Sequence, residues 1–171
     1  MTRIRLVLLT SALVLAGHAA WAKKANHPIH QDVEVMEINA ADRDMQKAFT
    51  YARATLDTFL PIAASKDPRY STVSLKVTVR QGKKTEYLWV SPFTVKGDTF
   101  TGSVNNEPTV VSNVNPGQDI KFKRADIVDW LYVDNQTQVM HGNFTTCVQM
   151  KNAPAEEIAQ MKRAYGLDCS R

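Results

Sequence analysis

The chain has 171 residues, 44% hydrophobic and 22% charged, with 21 Lys and Arg against 17 Asp and Glu. That length suits one domain with its own core rather than several. Its basic residues are scattered rather than gathered on one stripe, which argues against a nucleic-acid binder.

Arg3 and Arg5 precede an apolar run over residues 6–16, and Ala20 and Ala22 put small residues at the two positions a signal peptidase reads. This is the three-part layout of a secretory signal peptide over residues 1–22. The run is shorter than the roughly 20 residues a permanent transmembrane helix needs, so no membrane anchor is expected after cleavage. Cleavage after Ala22 removes 22 of the 171 residues, including two arginines and no acid. The remaining 149 carry 19 basic and 17 acidic side chains, a net of +2. The expected location is periplasmic or secreted.

Residues 23–38 form an extended lead. His27 and His30 are three apart, but Pro28 between them argues against a helix that would pair them on a metal. Val33, Val35 and Ile38 suggest a short edge strand. A single domain is expected over residues 39–171. Asn39 is the candidate cap of a first helix, with Asp42 near its positive end. Met45, Ala48, Phe49, Ala52, Leu56 and Phe59 recur at steps of three and four, an apolar stripe that Pro61 should stop.

From Val73 the period becomes two. Val73, Leu75, Val77 and Val79 alternate with Ser74, Lys76, Thr78 and Arg80, which predicts a half-buried strand. Residues 81–84 turn the chain into an antiparallel return strand over 86–90, limited by Pro92. Further strands are expected at 99–104, 119–123, 127–133 and 139–148, the last bent at Gly142. Pro154 opens a final helix with Ile158, Met161 and Tyr165 as its stripe and Gly166 as its end. The fold class is α+β: an N-terminal helix, a strongly curved or half-barrel antiparallel meander of five or six strands, and a C-terminal helix.

Cys147 and Cys169 are the only cysteines. An even count in an exported chain reads as one disulfide, here tying the last strand to the tail. Their spacing does not match a Cys-x-x-Cys redox pair, and two thiols alone do not make a zinc site. No metal or cofactor is expected, since Gly97, Gly102 and Gly117 are isolated and form no phosphate loop.

Four segments occur in one order: EYLWV at 86–90, FTGSVNNEP at 100–108, PGQDIKF at 116–122 and IVDW at 127–130. In this order they resemble the bacterial domain-of-unknown-function family 2314, the YegJ-like proteins. The resemblance covers about residues 41–142 and leaves the cysteine arm outside it. The family's N-x-P step is stretched here to Asn105-Asn106-Glu107-Pro108, and Gln118 separates Gly117 from Asp119. The resemblance implies an architecture and no activity.

Within FTGSVNNEP, Gly102 leaves a gap that Trp89 or Trp130 would cover. Asn105 and Asn106 suit a turn, and Pro108 holds Glu107 extended. Asp129 is harder to place. Regular alternation puts it with Ile127 and Leu131, so either a bulge resets the strand or a carboxylate is buried and needs partners. The turn N–H groups or the Trp130 indole would supply them in a structural clasp. The functional alternative gathers Asn105, Asn106, Glu107, Asp129 and Trp130 as a binding surface. Glu86, Asp129 and His141 would then share its pocket, and the two carboxylates would do acid–base work on a glycan.

The leading expectation is an exported, non-enzymatic module that binds a protein or an envelope component. One form of it is an immunity protein capping a delivered toxin. The enzymatic rival is a cell-wall hydrolase using Glu86 and Asp129.

Overall fold

The computed structural model describes residues 40–169. The expected leader (1–22), the lead (23–38) with His27, His30 and its short strand, and Asn39 lie outside the described residues. Asp42 caps the first helix, α1 (Arg43–Ala54), accepting from the N–H groups of Asp44 at 2.7 Å and Met45 at 3.2 Å. The stripe then breaks at Thr55, and α2 (Leu56–Ser65) begins. Pro61 does not stop the helix, contrary to expectation; α2 runs past it and ends at a left-handed Lys66. The proline removes one backbone bond from a short helix whose Leu56 and Phe59 are completely buried. Tertiary packing outweighs the local cost of about 3 kcal/mol.

Among the described residues six strands form one open antiparallel sheet in the order β4-β3-β2-β1-β5-β6. They are β1 (Tyr70–Gln81), β2 (Lys84–Lys96), β3 (Thr99–Val104), β4 (Asp119–Lys123), β5 (Ile127–Asp134) and β6 (Val139–Gly142). The class is α+β as expected, but the sheet is not a simple meander. After edge strand β4, a 3-10 turn (Arg124–Asp126) carries the chain back so that β5 pairs with β1. Pro92 does not end β2 either. It sits where the β2–β3 register shifts between Val90 and Phe93, a bulge in which its missing N–H costs no ladder bond.

Register separates two faces. The first carries Leu75, Val77, Leu88, Val90, Phe100, Val104, Ile127 and Trp130, packed under Ala52, Leu56 and Phe59 and under Val111 and Val114 of the β3–β4 connection. The second carries Ser74, Lys76, Trp89 and Leu131. The alternation of β1 suggests that this second face meets water; instead Ser74 and Lys76 are only 1% and 5% exposed. The C-terminal segment covers them, packing Met140, Met150 and Leu167 against Trp89 and Leu131.

That cover exists because the expected strand over 139–148 is not one strand. Gly142 (φ 80°) and Asn143 (φ 58°) are consecutive left-handed residues, and α3 (Phe144–Gln149) follows. A side chain on Gly142 would run into the Trp130 carbonyl. Gly142→Ala is therefore expected to cost more than the roughly 1–2 kcal/mol of a left-handed alanine alone. Chemical denaturation checks it, and a smaller loss would mean that the turn relaxes.

A second 3-10 turn (Met150–Asn152) leads to α4 (Ala155–Tyr165), with Pro154 at its cap and left-handed Gly166 at its end. The Gly166 carbonyl accepts from the Met140 N–H at 3.0 Å, and Leu167 bridges β6 in parallel. Cys147 and Cys169 are bonded, with Cα atoms 5.3 Å apart. The bridge thus joins α3, rather than a last strand, to the tail. Four α-helices are present among the described residues, where the sequence suggested two, and none is long and apolar enough to cross a membrane.

Arg69 clamps the far end of the β5–β6 hairpin. Its guanidinium donates to Asp134 at 2.7 Å and holds that carboxyl down to about 2. An unfolded Asp titrates near 3.9. The clamp therefore stabilises fully above about pH 4 and is lost as pH falls towards 2. Arg69→Gln is expected to flatten the acid limb of a stability–pH curve; an unchanged limb refutes the assignment.

Candidate functional site

The FTGSVNNEP stretch is held by main chain and by one carboxylate. Asn105 N–H donates to the Trp89 carbonyl at 2.8 Å, and Asn106 Oδ1 accepts the Trp89 N–H at 2.8 Å. Asn106 thus supplies β2 with a partner just past Val104, where β3 ends. Gly102 stands opposite Phe93 at the β2 bulge, and its nearest neighbours come from that bulge rather than from Trp89 or Trp130. A Cβ would meet Val90, Phe93 and the Pro92 carbonyl within 2.8 Å, so the β2 bulge itself fills the gap. Glu107 is exposed.

Glu86 anchors the loop just beyond Pro108. Its carboxylate accepts from the N–H groups of Thr109 (2.7 Å), Val110 (2.9 Å) and Val111 (2.9 Å), and from Thr109 Oγ1 (3.1 Å). Burial pushes this carboxyl up, but the bonds from three successive N–H groups outweigh it and bring it below the usual range. Glu86→Gln leaves one oxygen for that row of donors. A loss of about 1.5–3 kcal/mol is expected from the charge-assisted bonds, measured by urea unfolding; a neutral substitution would refute the anchor.

Asp129 is on the other face. In β1–β5 pairing, Asp129 stands opposite Lys76 and Ile127 opposite Val77, so a bulge at Val128 resets the alternation. The carboxylate is also fully buried. Its partners are not the turns suggested by the sequence. Oδ2 accepts the Thr145 N–H at 2.8 Å and Thr145 Oγ1 at 2.7 Å, and Oδ1 accepts the Trp130 N–H at 2.8 Å. Lys76 Nζ donates to Thr145 Oγ1 at 2.7 Å and lies 4.5 Å from the centre of the Trp89 ring. Burial pulls Lys76 down to about 8 and pushes Asp129 up, each opposed by the other's charge. The Trp130 indole instead donates to the Ala52 carbonyl at 3.1 Å and Thr55 Oγ1 at 3.2 Å, fixing α1 to β5.

Glu86, opposite Val79, and Asp129, opposite Lys76, therefore project from opposite faces of the sheet. Asn105 and Asn106 belong to the loop system beside Glu86. The sequence-derived candidates do not form one pocket.

The cavity that stands out lies elsewhere, a groove of about 670 Å³ between α1, β6, α3 and the tail. Tyr51, Trp130, His141, Gly142 and Phe144 line it, with Cys147, Asp168 and Cys169 at one end. Its wall is an aromatic chain. Tyr51 meets Phe144 edge-on at 4.9 Å, Phe144 meets Trp130 at 5.3 Å, and His141 stacks on Tyr132 at 4.7 Å. Tyr51 is 57% exposed despite its size. Sequence reasoning missed Lys76, which alternates with the apolar positions of its strand, Thr145, which falls inside the expected last strand, and Tyr51, which lies off the helix stripe. Among the described residues no cluster of three or more His, Cys, Asp or Glu is placed to hold a metal.

A family model described as "Uncharacterized protein conserved in bacteria" (DUF2314) matches residues 42–169. The chain belongs to the DUF2314 family. The match reaches through α3, α4 and both cysteines, so the cysteine arm lies within the DUF2314 region and not outside it. A DUF2314 relative, the uncharacterized protein YegJ of Escherichia coli strain K12, is 30% identical over 118 residues, 69% of this chain and 74% of that one. A putative ankyrin repeat protein of Neisseria meningitidis serogroup B is 27% identical over 138 residues, 77% of this chain but 51% of that protein. The chain thus spans about half of that second relative. No solved structure matches.

Proposed function

We propose that this DUF2314 protein is an exported, non-enzymatic binding module whose ligand, a protein or an envelope component, seats in the groove between α1, β6 and α3. The carrying observation is the aromatic wall, where Tyr51 stays exposed beside Phe144, Trp130 and His141. Largely preformed clefts with aromatic walls and a few polar groups are the usual form of binding sites, and an exposed tyrosine is a common anchor at protein interfaces. The two carboxylates of the hydrolase reading serve the fold instead: Glu86 holds a loop and Asp129 holds α3.

Affinity capture from the native envelope fraction, run in parallel with Tyr51→Ala and His141→Ala, tests this. A species retained by the wild type and lost with both folded variants supports the groove. Capture that ignores the variants removes it. The immunity form requires that species to be a toxin whose activity the protein suppresses.

A further inference from the structure

Strands β2, β3 and β4 extend beyond β1. Pairing of β1 with β2 begins at Leu75 and Val90, whereas β2–β3 pairing continues to Lys96 and Thr99. On this extension the first face buries Phe100 and Phe122, whereas among the described residues no side chain of its second face is buried. There the register aligns Lys96, Thr99 and Lys123 in one row and Thr94, Thr101 and Lys121 in the next. All are exposed except Thr101, which is half-buried. Among the described residues seven basic side chains sit in ion pairs; Lys96, Lys121 and Lys123 are among those that sit in none, as are Lys83 and Lys84. Three acids adjoin Lys96, Lys121 and Lys123: Asp119, in the next row of the same face opposite Ser103, Asp98 in the β2–β3 turn, and Asp126, which accepts the Lys123 N–H at 3.0 Å and pairs with Arg80.

We propose that this face docks on the headgroup layer of an anionic phospholipid bilayer. Neighbouring strands are about 4.8 Å apart, and alternate residues on one strand about 6.8 Å. The three ammonium groups therefore spring from an area about one Debye length across and act together on a charged surface. The Thr99 and Thr101 hydroxyls between them add donors for phosphate oxygens, while that of Thr94 donates to the Thr101 carbonyl at 3.4 Å. The platform is a strand surface rather than a cleft, which suits a planar array of phosphates better than a single small anion. A basic side chain near an anionic membrane raises partitioning about fivefold, so the three together are worth about 100-fold. The groove opens at the opposite end of the strand order, beyond β1 and β5, and this surface is independent of it.

The experiment is vesicle flotation of the native protein, as processed by the cells that make it. Vesicles of equal parts phosphatidylcholine and phosphatidylglycerol are compared with pure phosphatidylcholine. The expected result is partitioning onto the anionic vesicles that falls with added salt and drops about 100-fold in Lys96→Gln/Lys121→Gln/Lys123→Gln. Lys83→Gln/Lys84→Gln, at the β1–β2 turn, is expected to leave it unchanged. Equal binding to both vesicle types overturns the proposal, as does an equal loss in the Lys83/Lys84 variant, which would make net charge the cause. A triple variant that self-associates on size exclusion while binding vesicles like wild type also overturns it. The lysines would then serve only to stop sheet edges pairing.

Discussion

Lys76→Met is expected to destabilise the fold by about 3–5 kcal/mol, the usual cost of leaving a buried charge without its counter-charge, here linked to it through the Thr145 hydroxyl. Lys76 is completely enclosed, and its ammonium has three neighbours: the Asp129 carboxylate, the Thr145 hydroxyl and the Trp89 ring. Removing it leaves Asp129 charged in an apolar layer, with the bonds from Thr145 and Trp130 as its only compensation. Asp129→Asn produces the mirror defect, an uncompensated cation. The double variant Lys76→Met/Asp129→Asn removes both charges and leaves one carbonyl oxygen where the two backbone donors had one each. Its loss should fall well below the sum of the single losses, because the charges compensate each other. Urea unfolding of the four proteins measures the cycle. Additive losses would show that Lys76 and Asp129 do not act as a pair.

This pair also marks where the sequence was legible. Periodicity located α1 and the five long strands, because each has an apolar face set by a single repeat. The cysteine count gave the disulfide, and the four ordered segments gave the family. What failed had a tertiary cause in each case. Pro61 and Pro92 read as stops, yet one lies in a helix held by Leu56 and Phe59 and the other in a bulge. Lys76 and Ser74 read as solvent positions, because nothing local announces that a distant segment will cover them. That cover depends on Gly142 and Asn143 turning left-handed, while Val139 to Val148 has the composition of a strand. The candidate site failed for the same reason. Asp129 was recognised as a residue needing partners and Glu86 as its possible companion, but which face Asp129 occupies depends on the Val128 bulge, a one-residue shift that no period reveals.

Breaking the Cys147–Cys169 bridge is expected to cost about 3 kcal/mol, from the 22-residue separation it closes. The loss should not be spread evenly. Helix α4 has no fully buried side chain, and Ile158 is 37% exposed. Beyond the bridge, it is held by the partial packing of Met161 and Tyr165, by the Gly166–Met140 bond and by Leu167. Helix α3 has stronger ties: Thr145 to Asp129 and Lys76, and Phe144 to Tyr51 and Trp130. In Cys147→Ser/Cys169→Ser, hydrogen exchange should therefore accelerate through α4 and the tail while β1, β5 and the start of α3 stay protected. Uniform acceleration would mean that the bridge braces the whole domain instead. Because Cys147, Asp168 and Cys169 close one end of the groove, the same variant should also weaken whatever the groove holds. A ligand bound equally well without the bridge would have to rest on the aromatic wall of α1, β6 and α3 alone.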